Sequence, residues 1–225
     1  LILEADITGF DYIAFSDQDD IWFPDKLMRH IQLIPENNVG GVSSNVIAFW
    51  PNGRECLLDK AQPQREFDFL FESAGPGCTF LMTPWLIGKV RTQLQDNNSL
   101  AKDVALHDWL TYAVCRVHGR KWIIDSAPSV KYRQHHGNVV GANVGISAKW
   151  GRLQKLRQQW YRNEVIKIAY VCYKISARPD IDKLIKLLEK KNLYSLAKLL
   201  VNSPKYRRKG LDRLLLAGAL FTGLF

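Results

Sequence analysis

Paired cysteines are what this sequence most plainly lacks. Its four cysteines, Cys56, Cys78, Cys115 and Cys172, lie far apart and none forms a Cys-x-x-Cys pair. That excludes a zinc ribbon or a disulfide-dense secreted module and implies reduced, mostly buried thiols in a reducing compartment. Long apolar runs are missing too. Leu214 to Phe225 falls short of the ~20 residues a spanning helix needs, and no stretch reads as a signal peptide. Internal repeats and low-complexity segments are absent. With 47% hydrophobic and 24% charged residues, the 225-residue chain is neither disordered nor fibrous, and it is long enough to bury a real core.

Acidic residues are scarce in one part only. Residues 147–225 carry 18 Lys and Arg against 5 Asp and Glu, a net +13. Residues 1–146 carry 13 against 17, a net −4. The overall +9 is therefore an average over a mildly acidic body and a strongly basic tail. A division into a domain over 1–146 and a helical extension over 147–225 follows from this shift and from the patterning.

Within the body, Tyr12-Ile13-Ala14-Phe15 reads as a short strand that ends in Ser16-Asp17-Gln18-Asp19-Asp20. Pro24 opens a helix whose apolar face is Leu27, Met28, Ile31 and Ile34. Val42 to Trp50 reads as a strand closed by the turn Pro51-Asn52-Gly53. Gly75-Pro76-Gly77 turns into the strand-like Cys78 to Met82, and Pro84 starts a helix. A second helix over Asp108–His118 stops at Gly119, and strands are expected at Trp122–Ile124 and Ser129–Tyr132. From Ala148 the pattern is helical only, over 148–176, 180–191 and 193–201. Strands alternating with helices and then helices alone predict an α/β domain with a helical C-terminal extension.

Three carboxylates within four residues repel one another unless a cation or a basic partner neutralises them. At the carboxyl end of a strand in an α/β sheet they sit where ligands usually bind. Oxygen ligands of this kind suit Mg²⁺ or Mn²⁺, which keep positions open for phosphate oxygens. The same cluster also fits a solvated loop whose acids cap the following helix. His107-Asp108-Trp109 opens a helix, where a carboxylate either caps the helix or serves as a general base. Tyr132-Arg133-Gln134-His135-His136 places an imidazole and a guanidinium close together, suited to a metal and to phosphate oxygens. Two adjacent histidines point to opposite sides, so at most one of them faces such a site.

The run from Tyr12 to Leu27, with its Asp-Gln-Asp-Asp core, resembles the Asp-x-Asp segment of glycosyltransferase family 2, closest to the bacterial branch of rhamnosyltransferases and other surface-polysaccharide transferases. The resemblance implies a GT-A-type, Rossmann-like mixed sheet. It implies an inverting, metal-dependent transfer of a sugar, with rhamnose a plausible one, from a nucleotide-diphosphate sugar to a saccharide or lipid-linked acceptor in cell-surface polysaccharide synthesis. It assigns Asp17 to the donor nucleotide, Asp19, Asp20 and His135 to the metal, Arg133 to the diphosphate, and Asp108 to the general base. Gly77, Cys78 and Thr79 match the family's Gly-Cys-Thr segment lining the sugar site. His107 stands where many relatives carry an acid.

Only eleven residues precede Tyr12, whereas a βαβ unit takes ~30. The chain is therefore expected to lack the N-terminal nucleotide-binding strands of the fold, to be a fragment of a longer transferase, and to expose an edge at its first strand. The basic tail interleaves Lys and Arg with aromatic residues. Lys205-Tyr206-Arg207-Arg208-Lys209 followed by a leucine-rich segment has the form of an interfacial helix. Peripheral contact with the cytoplasmic face of the inner membrane through residues 205–225 is thus the expectation, with a packed appendage as the plain alternative and nucleic acid the less favoured partner. Other divalent-metal phosphoryl enzymes, such as nucleotidyltransferases or nucleases, and a non-catalytic membrane-binding module are the competing readings.

Overall fold

The computed structural model describes residues 2–34, 38–134, 159–190, 192–222 and 225. His135 and His136, and the first part of the helix expected from 148, lie outside the described residues. Six strands form one mixed sheet: β1 (Ile13–Ala14), β2 (Ile21–Trp22), β3 (Val39–Phe49), β4 (Glu55–Leu58), β5 (Leu81–Met82) and β6 (Lys121–Arg133). Their order is β1-β5-β3-β6-β2, with β4 beside the far half of β3. β3 is the axis. It runs parallel to β6, and antiparallel to β5 at Gly41–Val42 and to β4 at Val46–Phe49. Its alternation shows a sheet covered on both faces: Val42, Ser44, Val46 and Ala48 are wholly buried on one side, Ser43 and Asn45 on the other. β1 and β2 are the outer strands.

Helices α1 (Lys26–Gln32), α2 (Asp68–Phe71), α3 (Pro84–Gln95) and α4 (His107–Val117) complete the body. α3 starts where expected, because Thr83 accepts a hydrogen bond from the Leu86 amide and Pro84 needs no partner. α4 ends just before Gly119, whose φ of +75° lies in the left-handed region that favours glycine. The segment read as a strand from Cys78 instead makes a 3-10 turn at Gly77–Thr79 before β5. The Thr79 amide and hydroxyl both fold back onto the Pro76 carbonyl, at 3.0 and 2.8 Å, which closes a turn there. The two strands expected near 122 and 130 are one strand. A shift in its register against β3, between Ser44 and Val46, absorbs Pro128. β4 and α2 were not visible in the patterning.

α1 reverses its expected face. Leu27, Met28 and Ile31 are exposed, whereas Lys26 and His30, one turn apart, are fully buried. Neither ring nitrogen of His30 meets a hydrogen-bond partner. Burial, with the Lys26 charge adding to it, holds the imidazole down at about 4. An unfolded histidine titrates near 6.5, so the unfolded chain binds the extra proton between these values. Stability should be full above pH 6.5 and fall by up to about 3 kcal/mol as pH drops to about 4. Urea midpoints across pH 4–8 should show this loss, and His30→Leu should flatten it. An unchanged acid slope in that variant would assign the loss elsewhere.

Beyond residue 159 the chain is helical: α5 (Trp160–Ser176), α6 (Pro179–Glu189), α7 (Leu193–Val201) and α8 (Gly210–Phe221). These helices share one buried cluster with the body, which takes in Phe69, Trp109 and Tyr112 together with Val165, Ile168, Leu188, Tyr206 and Phe225. The mixed sheet with its surrounding helices is consistent with the expected GT-A-type α/β architecture.

Candidate functional site

The acidic loop is positioned by its two short flanking strands. β1 pairs with β5 at one edge and β2 with β6 at the other, so Phe15 to Asp20 crosses the intervening strands. Four inter-strand spacings are about 19 Å, and the seven steps from Ala14 to Ile21 reach roughly 25 Å at most. A loop under that constraint runs across the strand ends rather than folding away from them. The pairing is extended on both sides, by Phe15 N–H to the Phe80 carbonyl at 3.3 Å and by Phe23 N–H to the Ser129 carbonyl at 2.9 Å.

Arg133, at the end of β6, fastens the loop. Its amide donates to Asp20 Oδ1 and its Nε to the Asp19 carbonyl, both at 2.9 Å, while the guanidinium stacks 4.7 Å from the centre of Phe49. Asp20 Oδ2 is buried and meets no N–H or O–H donor. Burial pushes the Asp20 carboxyl above its ordinary value, and the neighbouring Asp17 and Asp19 charges add to the shift. One ligand atom each from Asp17, Asp20 and Cys78 lies within 4.8 Å of the other two. Asp17 is exposed and Cys78 buried, so the cluster opens to solvent on the Asp17 side. Asp19 contributes its backbone to Arg133 and is not one of these three. A buried carboxylate whose side-chain partner is the Cys78 thiol, beside a second carboxylate, fits a divalent cation that displaces the thiol proton, with Asp17 and Asp20 as oxygen ligands and Cys78 as a softer one.

Lys26 is the residue that the patterning missed. It is fully buried, donates from Nζ to the Cys78 carbonyl at 2.7 Å, and lies 3.3 Å from the centre of the Trp22 ring. Burial lowers its ammonium to about 7, against the pull of Cys78, Asp20 and Asp17. It thereby ties α1 to the turn that carries Cys78. The signal for it was slight: a lysine four residues after a tryptophan, directly behind an acidic cluster.

The same turn carries the other half of the site. A Cβ on Gly77 would lie 2.7 Å from His107 Nε2 and 3.4 Å from Asp108 Cβ, so the first turn of α4 packs directly on that glycine. Asp108 is half-buried. Its Oδ1 accepts the Trp109 amide at 2.7 Å. Burial raises its carboxyl, while His107, the Trp109 amide, Ser73 and the more distant Lys60 charge oppose the shift. His107 is exposed and meets the Phe15 ring edge-on at 5.2 Å. Thr79 is buried and turned onto the Pro76 carbonyl. The structure therefore brings Asp17, Asp20, Gly77, Cys78 and Asp108 to one place, with Arg133 bracing the loop from behind. His135 lies outside the described residues.

No protein-family model matches the chain. A dTDP-rhamnosyl transferase of Shigella flexneri, RfbG, is 47% identical to it over 169 residues. The match takes in 75% of this chain and 58% of that protein, so the chain spans less than two thirds of its relative's length. Over those 169 residues the chain is related to a rhamnosyltransferase-like glycosyltransferase.

Proposed function

We propose that the protein of which this chain forms part transfers rhamnose from dTDP-rhamnose to a hydroxyl of a saccharide or lipid-linked acceptor, with inversion at the anomeric carbon, as in glycosyltransferase family 2. The observation that carries this reading is the shared Gly77–Cys78 turn. On one side it meets a carboxylate suited to a base, Asp108, and on the other a cluster suited to a cation, Asp17 and Asp20. The identity to a dTDP-rhamnosyl transferase supports the choice of sugar and nucleotide.

In this reading Asp108 accepts the proton of the acceptor hydroxyl as its oxygen bonds to the anomeric carbon. The bond from that carbon to the diphosphate oxygen breaks on the opposite face, and its electron pair leaves with the nucleoside diphosphate. A divalent cation, when bound, neutralises charge on that leaving group. Asp17 and Asp20 would hold the cation, and Arg133 keeps their loop in place. Gly77 leaves room for the acceptor-side carboxylate to approach. Membrane-side synthesis of a surface polysaccharide, on the cytoplasmic face, is the setting in which this chemistry meets its acceptor.

The test is release of nucleoside diphosphate by the full-length protein from dTDP-rhamnose, compared with UDP-glucose and with a nucleic-acid substrate, with and without Mn²⁺. Turnover confined to dTDP-rhamnose and abolished by EDTA supports the reading, and cleavage of the nucleic acid instead would replace it. A second measurement addresses the cation site alone. Cd²⁺ titrated into this chain should produce thiolate-to-metal charge-transfer absorbance. Cys78→Ser should remove it, and Asp20→Asn should weaken binding at least ~10-fold. Absorbance that survives Cys78→Ser would belong to another cysteine and take Cys78 out of the site.

A further inference from the structure

The water-facing stripes of α7 and α8 are apolar. On α7, Leu193, Tyr194 and Val201 are exposed at 86%, 67% and 76%. On α8, Leu211, Leu214, Leu215 and Phe221 recur at helical spacing, exposed at 59%, 71%, 56% and 84%. The inward faces are apolar as well, through Leu199, Leu216 and Leu220. A helix on the surface of a water-soluble domain normally turns charge outward. Here two helices that pack against each other present seven large exposed apolar side chains, whereas such side chains on soluble surfaces are normally scattered singly.

The charges around these stripes identify the occupant. Among the described residues from 190 to 222 the exposed charged side chains are all lysines, Lys190, Lys198, Lys205 and Lys209, of which Lys205 pairs with Glu66 at 2.8 Å. The single acid in that stretch, Asp212, is taken up by Arg207 at 3.1 Å. Arg207 and Arg208, the centre of the basic run that the sequence pointed toward a membrane, face inward onto Glu72 and Asp68 instead. A second copy of this chain would set lysines against lysines across a self-complementary contact, which repels. An anionic bilayer pairs the lysines with headgroups and takes Leu and Phe into the acyl boundary, with Tyr194 at the interface. No helix among the described residues is long and apolar enough to cross a membrane, so the contact is a surface one.

We propose that α7 and α8 together form a docking surface for an anionic lipid bilayer. The surface stands on these two helices and does not depend on the transferase reading. It is tested by co-flotation of the chain with vesicles of phosphatidylcholine alone or mixed with phosphatidylglycerol. Binding should require the anionic lipid and weaken as salt rises. Leu214→Glu with Phe221→Glu should lower it at least 10-fold, and Lys198→Gln with Lys209→Gln should lower it less, each with an unchanged circular dichroism spectrum and melting temperature. Failure to float with anionic vesicles, or flotation unchanged in the Leu214 and Phe221 variant, overturns the proposal. So does a stable dimer of the parent chain that the same variant dissociates while neither binds vesicles. Nucleoside-diphosphate release is a separate measurement, so either idea can fail without the other.

Discussion

Asp108→Asn should lower turnover of the full-length protein by about 10²–10⁴-fold, the usual contribution of a positioned base, while donor affinity stays within a few-fold. The amide keeps the shape of the side chain and can still accept the Trp109 amide, which lies 2.7 Å from Oδ1. It cannot take a proton. Gly77 and the turn to Cys78 should therefore stay in place, and the loss should fall on kcat rather than on binding. The pH profile carries a second, independent signature. Burial raises the Asp108 carboxyl, and the base acts only in its ionised form. The rate should accordingly fall as pH drops through a value above the ordinary carboxylate range. That limb should vanish from whatever activity the variant retains. Near-wild-type turnover in Asp108→Asn would mean that the carboxylate only caps α4.

The acidic cluster was legible in the sequence because three carboxylates in four residues after an apolar strand are costly without a partner. Its neighbours were legible only through family likeness, since Gly-Pro-Gly turns and helix-opening aspartates are common without any site. Which ligands converge was not legible. Asp19 lies in the motif, yet the loop spends its carbonyl on Arg133, while Cys78 reaches the cluster from more than fifty residues away. The helix after the cluster misled for a related reason. Its period pointed Leu27, Met28 and Ile31 inward, but Lys26 has a carbonyl and an indole ring to meet, and that contact sets the rotation of α1. In the tail, composition recorded two arginines and gave no hint of their partners, because Asp68 and Glu72 lie 140 and 136 residues from Arg208.

Those partners make Asp68 a costly position to alter for stability. Asp68→Ala should lower the unfolding free energy by about 3–5 kcal/mol, the range for removing one member of a buried ionic group. The carboxylate is fully buried. Oδ1 meets Arg116 at 3.1 Å, and Oδ2 accepts from Arg208 and from the Tyr112 hydroxyl, each at 3.0 Å. Arg208, itself fully buried, would keep Glu72 at 3.5 Å, the Ser73 carbonyl and the face of the Tyr112 ring, and would lose its nearest carboxylate. Urea unfolding followed by tryptophan fluorescence measures the change, and a loss under about 1 kcal/mol would show that water or a rearranged Glu72 replaces the carboxylate. Asp68→Leu combined with Arg208→Met should recover part of the loss, because the pair then leaves no uncompensated charge, and the double-mutant cycle isolates that coupling. Arg208 follows α7 in the helical tail, whereas Asp68 opens α2 in the body. If the two parts fold as one cooperative unit, Asp68→Ala will move a single transition and leave its slope unchanged. If the tail folds on its own, the variant will split the curve, with the helical transition at the lower urea concentration.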